Sequence, residues 1–494
     1  MSLHGCVGNF MSRLLFQGKL FAVNPADPAT NSYAIASWWF IRCIALIYFA
    51  AFYSLSGQVT GLVGSNGILP AQFFLQNAEA QLGDIAWLRV PTLFWLGASD
   101  TSLVWACYTG MALSMLLLIG KAQLVVSIGL FGLYLSLFHV GQTFLNFQWD
   151  YLLLEAGFLS ILLIWNNNRI VIFLFHWLLF RLRFLSGISK LQDPSWLNLT
   201  TLNHYFETQP LPHLGAWYFH QLPDWLLRTG TGFTLFVELI VPFFIFLPRR
   251  FRLFAAFSTI FLQLLIIASS NHNWINLLTI VLCLFLLDDR ALNFLKRIKP
   301  TAIIETTHKK AGMLVSAFFG ILIVSTSIAI TAQFFVHLQA PNAFFWTRAW
   351  GLGNVYHVFP TMQLDRYEFS IEGSYDGKQW KQYLFKYKPN HAQEVPPFIV
   401  PHQPRLDWMI WFVPSKEPAM KFWFDAFIYG LHRNEPAITA LLKYNPFEGQ
   451  PAPRFMRVLT YDYEFTNIEE FKETGNYWNV SYLGDFPFVP ARRP

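Results

Sequence analysis

The stretch RLRFLSGISKLQDPSW, residues 181–196, closes a long apolar run and leaves it through a lysine, Lys190. Upstream, residues 169–187 are long enough to cross a hydrocarbon core of ~30 Å as a helix. Downstream, LNLTTLNHYFETQPLP (197–212) is polar and broken. A chain that repeats such runs and breaks reads as a bundle of membrane helices. The composition agrees: 54% of the 494 residues are hydrophobic and only 13% charged, where a soluble domain carries about 25% charged. Mean hydropathy is +0.36, and the 19 tryptophans suit membrane interfaces.

Working outward, about nine runs can span a bilayer. They lie near 34–56, 101–119, 122–140, 148–166, 169–187, 230–247, 252–271, 273–287 and 311–334. Basic residues orient them. Arg13, Lys19, Lys121, Arg169, RRFR (249–252), Arg290, KRIK (296–299), Lys309 and Lys310 fall on one side; the other side's loops hold Arg89, Lys190 and Arg228. The inside-positive rule then puts the N-terminal segment 1–33 in the cytoplasm. The loops 57–100 and 188–229, and everything after the helical domain 34–334, are exported. The N-terminus shows no cleavable signal, so the first span is expected to serve as its own. Basic clusters that flank apolar runs argue against nucleic-acid binding.

Beyond residue 335 the pattern changes. DRYEFSIEGSYDGKQWKQYLFKYKP (365–389) alternates around a YDGK turn and predicts a β-hairpin; PRFMRVLTYDYEF (453–465) predicts a strand. Between them, residues 418–447 read as helical. The fold class is therefore a polytopic α-helical membrane protein with a C-terminal exported β-sandwich-like α+β domain, 335–494. NNN (166–168) is the one hint of low complexity, and GLVGSNGILPA (61–71) reads as a tight turn along the membrane surface.

Ionisable residues inside spans face the bundle and find partners. Arg42, Asp150, Glu155, Arg181, Arg183 and Glu238 form one candidate buried polar network. Asp150 can alternatively cap its helix, whereas Glu155 is too deep for that and should meet Arg181 or Arg183. Lys190 is either an interfacial anchor or a base whose neighbours His204, Glu207 and Asp193 tune it. Cys6, Cys43, Cys107 and Cys283 lack metal-ligand spacing, as do His139, His176 and His272, so no metal site is expected. HQPRLDWMIWF (402–412), with His402, Arg405, Asp407, Trp408 and Trp411, is a candidate client-facing or membrane-facing patch. The alternative is a strand and turn docked on the helices.

GLVGSNGILPA, WDYLLLEAGFLSILL (149–163), GISKLQDPSWLNLTTLNHYFETQPLP (187–212), WYFHQLPDW (217–225), FVELIVPFFIFLPRR (236–250), NWINLLTIVLCLFLLDD (273–289), PPFIVPHQPRLDWMIWF (396–412) and LLKYNPF (441–447) together resemble the lipase maturation factor family. The resemblance implies a multi-pass protein of the endoplasmic reticulum, with bacterial relatives in the inner membrane. It also implies a maturation or folding factor for secreted client proteins, lipases above all. More distantly, the helical core resembles vitamin K-dependent gamma-carboxylase. There a lysine in a Gly-x-Lys-Lys-Leu-type stretch is the base; GISKL keeps the second lysine as Lys190 and replaces the first with Ser189. That resemblance implies an alternative, a membrane enzyme using Lys190 on a lipid or quinone-like ligand.

Overall fold

The structure is a computed structural model that describes residues 33–297, 309–336, 342–414 and 421–487. The expected cytoplasmic segment 1–33, Cys6, and the basic residues Arg13, Lys19 and Lys299 lie outside them, apart from Tyr33. Seven of the described helices are long and apolar enough to cross a membrane. They are α1 (Ala34–Ser56), α2 (Asp100–Leu118), α3 (Gln123–Val140), α4 (Gln148–Trp165), α5 (Arg169–Lys190), α7 (Arg249–Ser269) and α9 (Lys309–Val336).

Two expected spans fall short of that length. α6 starts early, at Asp224, and stops at Leu239; a further turn, Val241–Phe244, follows. Pro242 brings no N–H to the break and its ring crowds the preceding turn. α8 (Ile275–Leu282) tightens into a 3-10 turn, Cys283–Leu286. α8 sits against protein, with Leu278, Leu282, Cys283 and Phe285 buried; at the α6 break Val241 and Pro242 are buried while Ile240 and Phe243 are exposed. Polar backbone at membrane depth is tolerable where protein surrounds it.

Small residues let the helices close up. Gly157 of α4 lies against the Tyr48 ring of α1, so a Cβ there would collide with the phenol. The three asparagines 166–168 are a connector rather than low-complexity filler. Asn168 caps α5 by accepting from Ile170 and Val171 N–H and donates to Ser316 Oγ at 2.9 Å; Asn167 donates to Ser37 Oγ at 3.1 Å. At the same end of the bundle Asp289 accepts from the Ala34 and Ile35 N–H groups that open α1, and Arg249 pairs with Asp288 at 2.5 Å.

The C-terminal domain holds one antiparallel sheet in the order β2-β1-β3-β4: β1 (Tyr367–Ser374), β2 (Lys381–Tyr383), β3 (Phe455–Phe465) and β4 (Trp478–Asp485). The predicted hairpin is β1–β2, with Ile371 opposite Tyr383. The helical insertion is present as Lys421–His432 and Pro436–Thr439. The expected sandwich is corrected: among the described residues there is one sheet, and helices supply the second layer. Trp423, Phe424 and Phe427 of the longer insertion helix are buried, with Phe424 against Phe369 of β1 at 5.8 Å.

Candidate functional site

Polar residues within the spans gather where the C-terminal domain meets the helices. They form three separate clusters rather than one network. Asp150 is the third residue of α4, whose N-cap is Phe147. Its carboxylate takes both Nη atoms of Arg405 at 2.7 Å and the Tyr134 hydroxyl at 2.6 Å. Arg405 also donates to Phe144 O at 2.9 Å. The capping expectation for Asp150 is thus replaced by a buried, bidentate ion pair with the C-terminal domain.

One turn deeper, Glu155 pairs with Arg181 of α5. This pair too reaches into the post-span segment. Tyr356 donates to Glu155 at 3.1 Å, Asn354 N–H donates at 3.3 Å, and Arg181 donates to Asn354 O at 2.8 Å. The third cluster joins α5 to α6: Glu238 accepts from Arg183 at 2.8 Å and ion-pairs with Lys190 at 2.8 Å. Lys190 also donates to Val358 O at 2.7 Å and Ser186 O at 3.4 Å, and lies 5.1 Å from the Trp196 ring centroid. Ser186 Oγ accepts from Val358 N–H, and Asp193 accepts from Met362 N–H. Residues 354–362 are thereby stitched along α4 and α5, polar group to polar group.

Arg42 stands apart from these clusters. It donates to Gln123 at 3.2 Å and lies over Trp38, at the opposite end of the bundle. The expected tuners of Lys190 are also corrected. Asp193 caps a turn and Glu207 accepts from Phe465 N–H, while the acid that meets the ammonium is Glu238.

The patch at 402–412 does not face outward. It forms the short helix Arg405–Ile410, and Arg405, Asp407 and Trp408 are buried. Trp408 packs edge-on against Trp149 at 5.0 Å, and the half-buried Trp411 donates to Thr208 O at 2.7 Å. Asp407 accepts from the N–H groups of Tyr387 and Lys388 at 2.7 and 3.1 Å; burial raises its carboxyl to about 6. His402 is held near pKa 4 by burial and by the charge of Arg405. The segment docks on the helices, as a helix rather than as a strand and turn.

Sequence reading missed the partners on the other side of each contact. Gln403 bonds with Ser54, Gln58 and Asn273; Asn271 donates to Leu211 O and Pro397 O. The polar run SSNHN (269–273) between two apolar spans was the available signal.

Lys190, Arg183, Glu238, His272, Gln263 and Asn276 line a cavity of ≈ 70 Å³. That volume suits a few waters, for which the buried amide donors of Gln263 and Asn276 have no protein partner. It falls well short of the ~300 Å³ and above of small-molecule sites, so a quinone-like ligand beside Lys190 does not fit this cavity. An ammonium has three donors, and three oxygens surround this one. Among the described residues no cluster of His, Cys, Asp and Glu could hold a metal ion.

Chemically, the site is a fastening: buried charges of a helical membrane protein matched to a C-terminal sheet domain. Residues 35–294 match the lipase maturation factor transmembrane domain and residues 352–488 the lipase maturation factor C-terminal domain. The chain belongs to the lipase maturation factor family. Lipase maturation factor 2 of Xenopus laevis is 32% identical over 576 residues, covering 89% of this chain and 80% of the relative. Lipase maturation factor 1 of Mus musculus is 32% identical over 517 residues (96% and 89%), and that of Homo sapiens 30% over 512 (95% and 90%). None of these matches supports the gamma-carboxylase alternative, and no solved structure matches the chain.

Proposed function

We propose that this chain is a membrane-integral maturation factor for secreted lipases, with nine passes, a cytoplasmic N-terminus and an exported C-terminal domain. Its membrane is that of the endoplasmic reticulum in a eukaryote, or the inner membrane in a bacterium. The match of both family domains, in order, across most of the chain carries the reading.

The contacts support the topology. The C-terminal domain and its connector touch Ser54, Gln58, Phe144, Asp150, Lys190, Thr208, Asn271 and Asn273. Nine alternating passes bring all of these to one face. Ser37, Asn167, Asn168, Arg249, Asp288, Asp289 and Ser316 meet at the other face, which carries the basic loops. Within this reading Lys190 is a positioning cation that holds residues 358–362, and the exported domain is a fixed platform for folding clients.

The test is complementation. Cells lacking their lipase maturation factor would express this chain with a secreted lipase. Secreted activity per unit lipase mass should recover. No recovery at normal membrane abundance, with several lipases tried, would sink the proposal.

A further inference from the structure

Five charged or aromatic side chains outside the three polar clusters converge on a larger cavity. Arg89, Phe138, His139, Tyr151, Arg348 and Ala349 line a volume of ≈ 260 Å³. The two arginines come from separate elements, the short helices Ala86–Arg89 and Asn342–Ala349. Arg89 lies over the Trp346 ring at 4.5 Å, which fixes its guanidinium plane. Among the described residues neither guanidinium forms an ion pair or a hydrogen bond, and the Nε of each is buried without an acceptor. Both are only half-buried, so their remaining donors are open to an incoming anion. His139 is committed to Ala349 O at 2.8 Å and supplies shape rather than charge.

The height of this cavity argues for its occupant. His139 is the penultimate residue of α3 and Tyr151 the fourth of α4, so the cavity opens where those spans leave the hydrocarbon. The chain beside it bears large exposed apolar groups: Trp87, Leu88, Leu93 and Leu96 are 56%, 52%, 55% and 85% exposed. Trp105, near the start of α2, is 63% exposed and Trp350 40%. Exposed tryptophans at span ends sit at headgroup level. Two unmatched guanidiniums beneath such a rim offer fork-like donors for phosphate oxygens.

We propose that Arg89 and Arg348 form a binding site for the phosphate of an anionic phospholipid in the leaflet facing the C-terminal domain. The headgroup phosphate fills the cavity between the guanidiniums, and the acyl chains lie along Leu93, Leu96 and Trp87. Two cations against one phosphodiester leave a positive charge, which favours phosphatidylglycerol-type over zwitterionic headgroups. The proposal is independent of which compartment that leaflet faces.

The test uses the purified full chain. Nanodiscs of phosphatidylcholine with or without 20% phosphatidylglycerol would be compared by thermal stability, and retained lipid counted by native mass spectrometry. Inorganic phosphate in the phosphatidylcholine discs is the second arm. Arg348→Gln, Arg89→Gln and the double variant follow, with Arg89→Lys as a variant that keeps a charge over Trp346. The account expects retained phosphatidylglycerol and a stability gain that the double variant loses by about tenfold or more in affinity, the worth of one charge-assisted hydrogen bond. Arg89→Lys should keep part of it. Equal retention by a double variant of wild-type abundance overturns the proposal. So does an equal gain from inorganic phosphate alone, which would make this a free-anion site.

Discussion

Arg181 and Arg405 contrast with Arg89 and Arg348. All four lie towards the face of the bundle that carries the C-terminal domain. The first two are buried, and each meets a carboxylate and a backbone oxygen. The second two are half-buried, and among the described residues neither meets a carboxylate. A guanidinium whose Nη donors meet a carboxylate inside the protein is a fastener, because removing that carboxylate strands a charge. One whose donors stay unmatched at a rim is available to a ligand.

The largest expected effect comes from breaking a matched pair on one side only. Arg405→Met should cost about 3–5 kcal/mol, because it leaves Asp150 charged and buried. Adding Asp150→Leu should recover much of that loss, since an apolar pair replaces an ionic one. Thermal unfolding of the purified variants reads both, and a double variant worse than Arg405→Met would undo the matched-charge account. Glu155→Gln keeps the shape and one acceptor, so a smaller loss of about 1–3 kcal/mol is expected by the same assay.

Glu207 sharpens the contrast from the acidic side. It is largely buried with one backbone donor, and the imidazole of His220, which burial holds towards its neutral form, lies 3.9 Å away. Burial raises its carboxyl to about 7; Glu464 and Asp462 add to the rise, and Arg366 opposes it. The folded state therefore keeps this proton through a window where the unfolded chain, near 4.5, releases it. Stability from this group falls as pH rises from about 4.5 to 7, by about 3 kcal/mol. Glu207→Gln should flatten that slope in a pH series of unfolding curves; an unchanged slope would show that the carboxyl is ionised throughout. At the small end, Asp224 and Arg228 are matched but exposed, at 2.6 Å. Asp224→Asn should leave abundance unchanged, as exposed pairs contribute little.

The helical class and the C-terminal hairpin were legible because both rest on local periodicity. Hydropathy alone could not tell that α6 breaks before Pro242, or that α8 is short and enclosed by protein. The pairing of Glu155 with Arg181 follows from shared depth on consecutive helices. Asp150 with Arg405 spans 255 residues, and no local pattern carries such a contact. HQPRLDWMIWF left two readings open for the same reason. Its aromatic content suits an exposed binding patch and a buried interface equally, and only the complementary surface, Ser54, Trp149 and Thr208, separates the two.

Charges set inside the membrane spans hold the C-terminal domain in place. Hydrogen exchange read by mass spectrometry on the purified full chain tests this most directly, comparing wild type with Asp150→Asn and Glu155→Gln. The account predicts faster exchange in residues 354–362 and 399–410, while the amides of α2, α3 and α7 keep wild-type protection. Wild-type protection of both segments in both variants would contradict it.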